Sequence, residues 1–137
     1  MQLDFFKLDI NGKELKVAVA DTATLRYKGL SDMPRLGKNK GMLFIFEEPK
    51  QVTMVMRDMN FDLDFILLDS NWEVVQVESR VKDSEKPVVS VVPIQMVIEV
   101  NKGYSEENNI TPGLTLKPEK KLSTQLKGVQ KFKHWGS

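Results

Sequence analysis

The side chains best suited to chemistry in this sequence are carboxylates, and four of them lie within twelve residues. Asp58, Asp62, Asp64 and Asp69 form the densest acidic cluster, and strand alternation would place Asp62 and Asp64 on one face, about 7 Å apart. Such a pair could bind Ca²⁺ or Mg²⁺ through oxygen ligands, or divide the acid and base roles of a hydrolytic site. Their spacing matches no metal-loop motif, so metal binding stays open. The structural alternative is that Asp64 bonds backbone amides or Arg57.

Charged residues that stand among apolar neighbours extend this cluster. Glu99 lies between Ile98 and Val100, and alternation along a half-buried strand predicts that it is exposed. If it is buried instead, the cost of burying a charge would require an Arg or Lys partner. The candidate ligand site or ion network comprises Arg26, Arg57, Asp58, Asp62, Asp64 and Glu99.

Several catalytic classes lack their residues. The chain has no cysteine and a single histidine, His134, which excludes thiolate nucleophiles and a multi-histidine zinc site and argues against a Ser/His/Asp triad. No phosphate-binding Walker loop, dinucleotide fingerprint or nucleophile elbow is present. The sequence therefore favours a non-enzymatic protein without deciding the question, and no cofactor is expected.

Charge is unevenly distributed along the chain. The net charge is only +1, but residues 115–137 hold six lysines against one glutamate, which leaves an acidic body and a basic tail. Such a tail could dock on an acidic protein surface or on another copy of the chain, or bind nucleic acid through phosphates and stacking. The candidate docking residues are Lys120, Lys121, Lys127, Lys131, Phe132, Lys133 and Trp135.

Short apolar runs separated by turn residues must position these groups. Residues 3–10 and 15–20 predict a hairpin across Asn11-Gly12, a dipeptide suited to a type I′ turn. Thr22 is a candidate cap for a short helix over residues 23–29, closed by Gly29. Strands over residues 42–46 and 52–56 are predicted to pair across Glu47-Glu48-Pro49, and 61–68 to pair with 73–77. Further strands are predicted at residues 88–92, 96–100 and 114–116.

Seven to nine short strands with little helical periodicity predict an all-β fold, a jelly-roll-like β-sandwich or barrel with one short helix. We expect a compact β domain over residues 1–116 and a basic tail or arm over residues 117–137. The N-terminus lacks the pattern of a secretory signal, and no apolar run approaches the ~20 residues of a membrane span. A cytoplasmic protein, or one built into a particle assembled there, is expected.

A series of short motifs carries a family resemblance. They run in order over residues 17–113 as Ala20-x-Thr22, Arg26-x-x-Gly29-Leu30, Gly41-Met42-Leu43-Phe44-x-Phe46, Met56-Arg57, Leu63-Asp64, Leu68-Asp69, Glu99, Gly103 and Gly113. With them the chain resembles the domain of unknown function 192 family of bacteria, archaea and phages. That resemblance implies a compact, jelly-roll-like all-β domain and carries no established activity.

The chain departs from the usual family pattern at four positions. Ser31 stands where the family usually has Met, Val55 where it has Trp, Asp58 where it has Asn, and Asp62 where it has Pro. A family pocket near residues 55–58 would therefore lose an aromatic wall here and gain negative charge.

Three hypotheses about function follow. The first is a non-enzymatic binding or structural module, such as a subunit of a viral particle or other assembly, which docks a protein partner or a second copy through its tail. The second is a small-ligand, divalent-metal or hydrolytic site around Arg57, Asp58, Asp62 and Asp64. The third is non-specific nucleic-acid binding by the tail, since its lysines are not accompanied by arginine.

Overall fold

One seven-stranded sheet organises the chain. The computed structural model describes residues 5–124. Its strands are β1 (Phe5–Ile10), β2 (Lys13–Ala20), β3 (Lys40–Lys50), β4 (Thr53–Met54), β5 (Leu63–Leu68), β6 (Val74–Arg80), β7 (Val88–Val89), β8 (Ile94–Asn101) and β9 (Lys117–Pro118). Two helices are α1 (Ala23–Lys28) and α2 (Tyr104–Glu107), and residues 120–124 at the end of the described chain are also helical.

The sheet is mixed and curled into a half-barrel. Its strand order is β6-β5-β8-β3-β2-β1-β9, while β4 and β7 form a separate two-stranded sheet. Strands β2 and β3 are parallel, because α1 and the loop after it carry the chain back across the sheet. The predicted all-β fold is confirmed; its finer description as a jelly roll stays a prediction. Within residues 5–124, no helix is long and apolar enough to cross a membrane.

The predicted first hairpin is confirmed. Strands β1 and β2 pair antiparallel, with Ile10 opposite Lys13, so the turn has two residues. Asn11 and Gly12 have φ angles of 52° and 83°, the positive values that a type I′ turn requires. The Asp9 carboxylate accepts a hydrogen bond from the Gly12 amide at 2.8 Å.

Helix α1 also forms where the sequence predicts it. The Thr22 hydroxyl accepts a hydrogen bond from the Leu25 amide at 3.2 Å, and Gly29 ends the helix with a φ of 49°. Arg26 donates from Nη1 to the Ile45 carbonyl at 2.9 Å, which holds this short helix against β3. No residue of this helix is buried.

The predicted pairing of residues 52–56 with residues 42–46 is wrong. Both hydrogen-bonding edges of β3 are occupied, by β2 and β8, and β3 itself continues through Pro49 to Lys50 past a register shift. Strand β4 pairs instead with β7, and the Ser90 hydroxyl accepts a hydrogen bond from the Val52 amide at 2.8 Å. Residues 52–59 therefore form a flap beside the sheet rather than another strand of it.

The other hairpin prediction is confirmed, because β5 pairs antiparallel with β6. The Asp69 carboxylate accepts the amides of Asn71 and Glu73 in the connecting turn. The predicted last strand lies slightly later than expected: Thr115 makes an isolated bridge with Glu73, and β9 pairs with β1.

Apolar side chains cover both faces of the central strands. Every residue of β5 is buried, as are seven of the eight residues of β8, so these strands read as continuous apolar runs. One face packs Leu43, Ile66 and Ile98, and the other packs Phe44 and Phe65. Glu99 points toward the second face, since alternation places it with Val97.

The chain after residue 116 begins in contact with the sheet. Strand β9 lies within the predicted tail, residues 120–124 are helical, and Leu122 is fully buried among the side chains of the first face. The proposed boundary between body and tail at residue 116 stays a prediction.

Asp64 fastens α2 to the sheet. Its carboxylate is 2% exposed and accepts hydrogen bonds from the Ser79 hydroxyl and from the amides of Gly103 and Ser105. Those amides belong to the N-terminus of α2, which has no side-chain cap of its own, so Asp64 supplies the missing acceptor.

We expect Asp64→Asn to lower the free energy of unfolding by about 1–3 kcal/mol, because one carboxylate oxygen becomes an NH₂ that cannot accept from buried donors. Asp62→Asn is the matched control: the Asp62 carboxylate is only partly buried and accepts the Lys82 amide, so its loss should stay below about 1 kcal/mol. Urea denaturation measures both. Equal losses would contradict the role assigned to Asp64.

Candidate functional site

A cavity of about 250 Å³ opens beside α1. It is bounded by residues 26–31 on one side and by residues 53–55 and 57–59 of the flap on the other, while Phe44 and Glu99 line it from the sheet. We call it the Glu99 pocket. Its apolar wall comes from Leu30, Phe44, Met54, Val55 and Met59.

Glu99 is the deepest charged group of this pocket. It lies in β8 opposite Met42 of β3 and Phe65 of β5, and it is only 4% exposed. The prediction that Glu99 is exposed is wrong, because β8 is covered on both faces. Gly41 contributes to this burial: a Cβ atom there would lie 2.6 Å from the Glu99 carbonyl oxygen, so glycine permits the close approach of β3 and β8.

The Glu99 carboxyl has no hydrogen-bond or ion-pair partner within residues 5–124. Burial raises the pKa of this carboxyl from its ordinary value of 4.5 to about 8, since no nearby cation offsets the loss of hydration. The group is therefore largely protonated at neutral pH and can both donate and accept a hydrogen bond.

The two arginines expected to pair with Glu99 are directed elsewhere. Arg26 bonds the Ile45 carbonyl, and its guanidinium lies 5.2 Å from the centre of the Phe46 ring. The Arg57 guanidinium lies 4.9 Å from the centre of the Tyr27 ring, at the exposed rim of the pocket. In the part of the chain that the structure describes, no ion pair joins any two of the six candidate residues.

A turn over residues 56–59 of the flap forms part of the rim of the pocket. The Met59 amide donates to the Met56 carbonyl, and Asp58 adopts a φ of 59°, a conformation that aspartate tolerates better than most residues. The Asn60 side chain donates to the Met33 carbonyl at 2.9 Å. The flap is thereby joined to the loop that follows α1.

The sequence-predicted site residues separate into two groups. Arg26, Arg57, Asp58 and Glu99 line the Glu99 pocket. Asp62 and Asp64 do not: each bonds backbone amides, and Asp64 points to the opposite face of the sheet. Residues 5–124 contain no group of three or more acidic or histidine side chains that could hold a metal ion.

The predicted docking residues are described only in part. Lys120 and Lys121 are exposed. The others lie outside the described residues, namely Lys127, Lys131, Phe132, Lys133 and Trp135, as does His134.

Sequence reasoning did not assign Tyr27 or Phe44 to the site. The signal for Tyr27 was its place beside the candidate residue Arg26 in a short capped helix. Phe44 gave no signal, because a phenylalanine in a buried strand reads only as core.

We expect Glu99 to make stability fall with rising pH. Below its unfolded-state pKa of about 4.5, both states carry the proton; between about 4.5 and 8 only the folded state does. The free energy of unfolding should then fall by up to about 1.4 kcal/mol per pH unit relative to Glu99→Gln. Urea denaturation of both proteins from pH 4 to 9 measures this difference.

The two proteins should be equal within about 1 kcal/mol at pH 4, and the variant should be more stable by several kcal/mol at pH 9. Glu106→Gln, the same change at an exposed residue outside the pocket, should follow the parent protein throughout. Parallel curves for the parent and Glu99→Gln would show that Glu99 is not buried as a neutral group.

Comparison with known proteins agrees with this fold. The family model DUF192, described as an uncharacterized ACR, matches residues 6–118, which confirms the resemblance. No curated protein matches the chain.

Two solved structures are similar to the chain. One, from Sinorhizobium meliloti 1021 and described as a proposed transcription regulator, has a TM-score of 0.81 and 26% identity, covering 86% of this chain and 96% of that one. The other, of unknown function from Novosphingobium aromaticivorans DSM 12444, has a TM-score of 0.75 and 25% identity, covering 85% and 86%. Since the family model spans most of the sequence, the chain belongs to the domain of unknown function 192 family.

Proposed function

We propose that this protein is a non-enzymatic binding module that holds a small ligand in the Glu99 pocket. One observation carries the proposal: a carboxyl group that is 4% exposed lines a cavity and has no partner in the described part of the chain. Buried polar groups are almost always hydrogen-bonded, and a carboxyl with a strongly perturbed pKa in a cleft is characteristic of functional sites. A ligand would supply the missing partner.

The pocket has features of a small-molecule site. Apolar side chains line part of it, and the rest is lined by polar or charged residues, namely Arg26, Lys28, Ser31, Thr53, Arg57, Asp58 and Glu99, so it offers a ligand both apolar contacts and polar groups that can orient it. Hydrogen bonds of Val52 in the flap and of Asn60 next to it join this segment to neighbouring loops. Its backbone would therefore need little ordering on binding.

The lining residues favour binding over turnover. Hydroxyl groups in the pocket belong to Tyr27, Ser31 and Thr53, and no histidine lies within residues 5–124. A hydroxyl nucleophile needs an adjacent base, and neither Glu99 nor any other base bonds one of these hydroxyls in the described structure. A metal site at Asp62 and Asp64 is also not favoured, since both carboxylates already accept hydrogen bonds from backbone amides.

A matched panel of five-carbon compounds tests the pocket: valerate, n-pentylamine, valeramide, 5-aminovalerate and norvaline. We expect at least one of them to shift the backbone amide resonances of residues 26–31 and 53–59 in ¹H–¹⁵N spectra. Arg57→Ala should weaken binding of an anionic compound at least tenfold, as a charge-assisted hydrogen bond contributes about 1.5–3 kcal/mol.

Arg35→Ala is the control, because Arg35 is exposed and does not line the pocket; it should bind like the parent. Resonance shifts confined to residues outside the pocket, or none with any compound, would overturn the proposal.

Partner docking by the C-terminal arm is the second candidate, and Leu122 is the observation that favours it. This side chain is fully buried, while Lys120 and Lys121 beside it are exposed. The described start of the arm is thus anchored to an acidic body and presents lysines outward. An acidic protein surface, including another copy of the chain, is the proposed partner, and a larger assembly is one possible product.

We expect the full-length protein to form an assembly at low salt that is lost in a chain ending at residue 124. Ending the chain at residue 117 would remove the buried Leu122 and confuse unfolding with loss of docking. A full-length variant with Lys127, Lys131 and Lys133 changed to Gln separates charge from chain length. Light scattering at low and moderate salt measures the mass.

An unchanged mass in both altered chains would overturn the docking proposal. Nucleic-acid binding is the competing use of the arm, and the description of the Sinorhizobium structure as a proposed transcription regulator makes it worth testing. It predicts retention of a single-stranded oligonucleotide that falls steeply with salt.

A further inference from the structure

Two ionisable residues, Glu99 and Arg57, line the Glu99 pocket at different depths. The Glu99 carboxyl lies on the sheet side and is almost fully buried, whereas Arg57 lies at the exposed rim. Apolar side chains line the pocket beside them. A ligand that satisfies both must therefore carry two different polar groups, one for each residue.

The Arg57 guanidinium is available to an anion. It lies over the Tyr27 ring, 4.9 Å from the ring centre, and within residues 5–124 it makes no hydrogen bond or ion pair. Its planar N–H donors are therefore available, and their arrangement matches the geometry of a carboxylate.

The other charged groups of the pocket contribute less to recognition. Lys28 pairs with Asp32 at 3.2 Å, and Arg26 is engaged with Ile45 and Phe46. Asp58 is exposed, so an ammonium group near it would remain in water and gain little.

We propose, on the basis of the binding function above, that the pocket takes a small zwitterion of amino-acid type, with its ammonium on Glu99 and its carboxylate on Arg57. A cation without an acid group would bring a second positive charge to the rim near Arg57, with no carboxylate to offset the repulsion. An anion without an amine would leave Glu99 unpaired. A zwitterion satisfies both ends, and its ammonium converts the lone buried carboxyl into one member of a buried ion pair.

Binding should then release a proton from Glu99. Since burial raises the pKa of Glu99 to about 8, the carboxyl is mostly protonated at pH 7 and mostly ionised at pH 9. The proton leaves to solvent as the ligand's ammonium, which stays charged over this range, takes its place. Affinity for a zwitterion should rise about tenfold between pH 7 and pH 9. Affinity for valerate should fall over the same range, because the Glu99 carboxyl ionises and repels the valerate carboxylate.

Isothermal titration calorimetry tests this with the full-length protein and the same five-carbon compounds. Titrations at pH 7 in two buffers of different ionisation enthalpy count the proton released. We expect norvaline or 5-aminovalerate to bind at least tenfold more tightly than valerate, n-pentylamine or valeramide at pH 9. These two compounds cover a short and a long separation of amine and acid.

Glu99→Gln should lose the preference for the zwitterion over valerate, the proton release and the rise with pH, while Arg35→Ala should keep all three. Arg57→Ala, at an exposed position, should bind the zwitterion no better than n-pentylamine. Tightest binding of valeramide, valerate or n-pentylamine would overturn the zwitterion inference and leave the pocket as a binding site. Binding of none of the five would overturn both.

Discussion

The double-sided covering of β8 is the constraint on which the rest of this structure depends. Placed between β3 and β5, the strand has neighbours on both edges and apolar side chains on both faces. Seven of its eight residues are buried, including the one glutamate it carries. The carboxyl of Glu99 is accommodated because it can keep its proton, and because the cavity beside it leaves room that a tightly packed core would fill.

The same constraint explains why α1 and the flap matter. Neither belongs to the seven-stranded sheet, yet both lie over the face to which Glu99 points. The Arg26 bond to Ile45, the Ser90 bond to Val52 and the Asn60 bond to Met33 attach these pieces to their surroundings. The cavity lies between these two segments and the sheet, with Glu99 on the sheet side.

The departures from the family pattern that the resemblance implies concern mainly residues of this cavity. Of the four departures, Ser31, Val55 and Asp58 line the pocket, and only Asp62 lies elsewhere. Gly41 and Gly29, which belong to the motifs of the resemblance, each closely approach a neighbouring strand.

Much of the architecture could be predicted from local patterns. Asn11-Gly12 determined a hairpin, Thr22 and Gly29 bounded a helix, and the apolar runs marked the buried strands, because turn conformation, capping and burial depend on neighbours in sequence. The ordered motifs also indicated the family. Strand pairing was less accessible: residues 52–56 resemble a partner for β3, but only the folded sheet shows that β2 and β8 occupy both of its edges.

The candidate site was decided by tertiary structure. The sequence identified the charged residues, yet it could not distinguish Asp64, whose carboxylate caps α2, from Asp58, which lines the pocket six residues earlier. The sequence predicted that Glu99 is exposed, because alternation of apolar and polar residues is typical of a strand with one face in solvent. The burial of the other face of β8 depends on segments that are distant in sequence. Residue type determined what each group can do, and packing determined which groups meet, since burial and distance are properties of the whole fold.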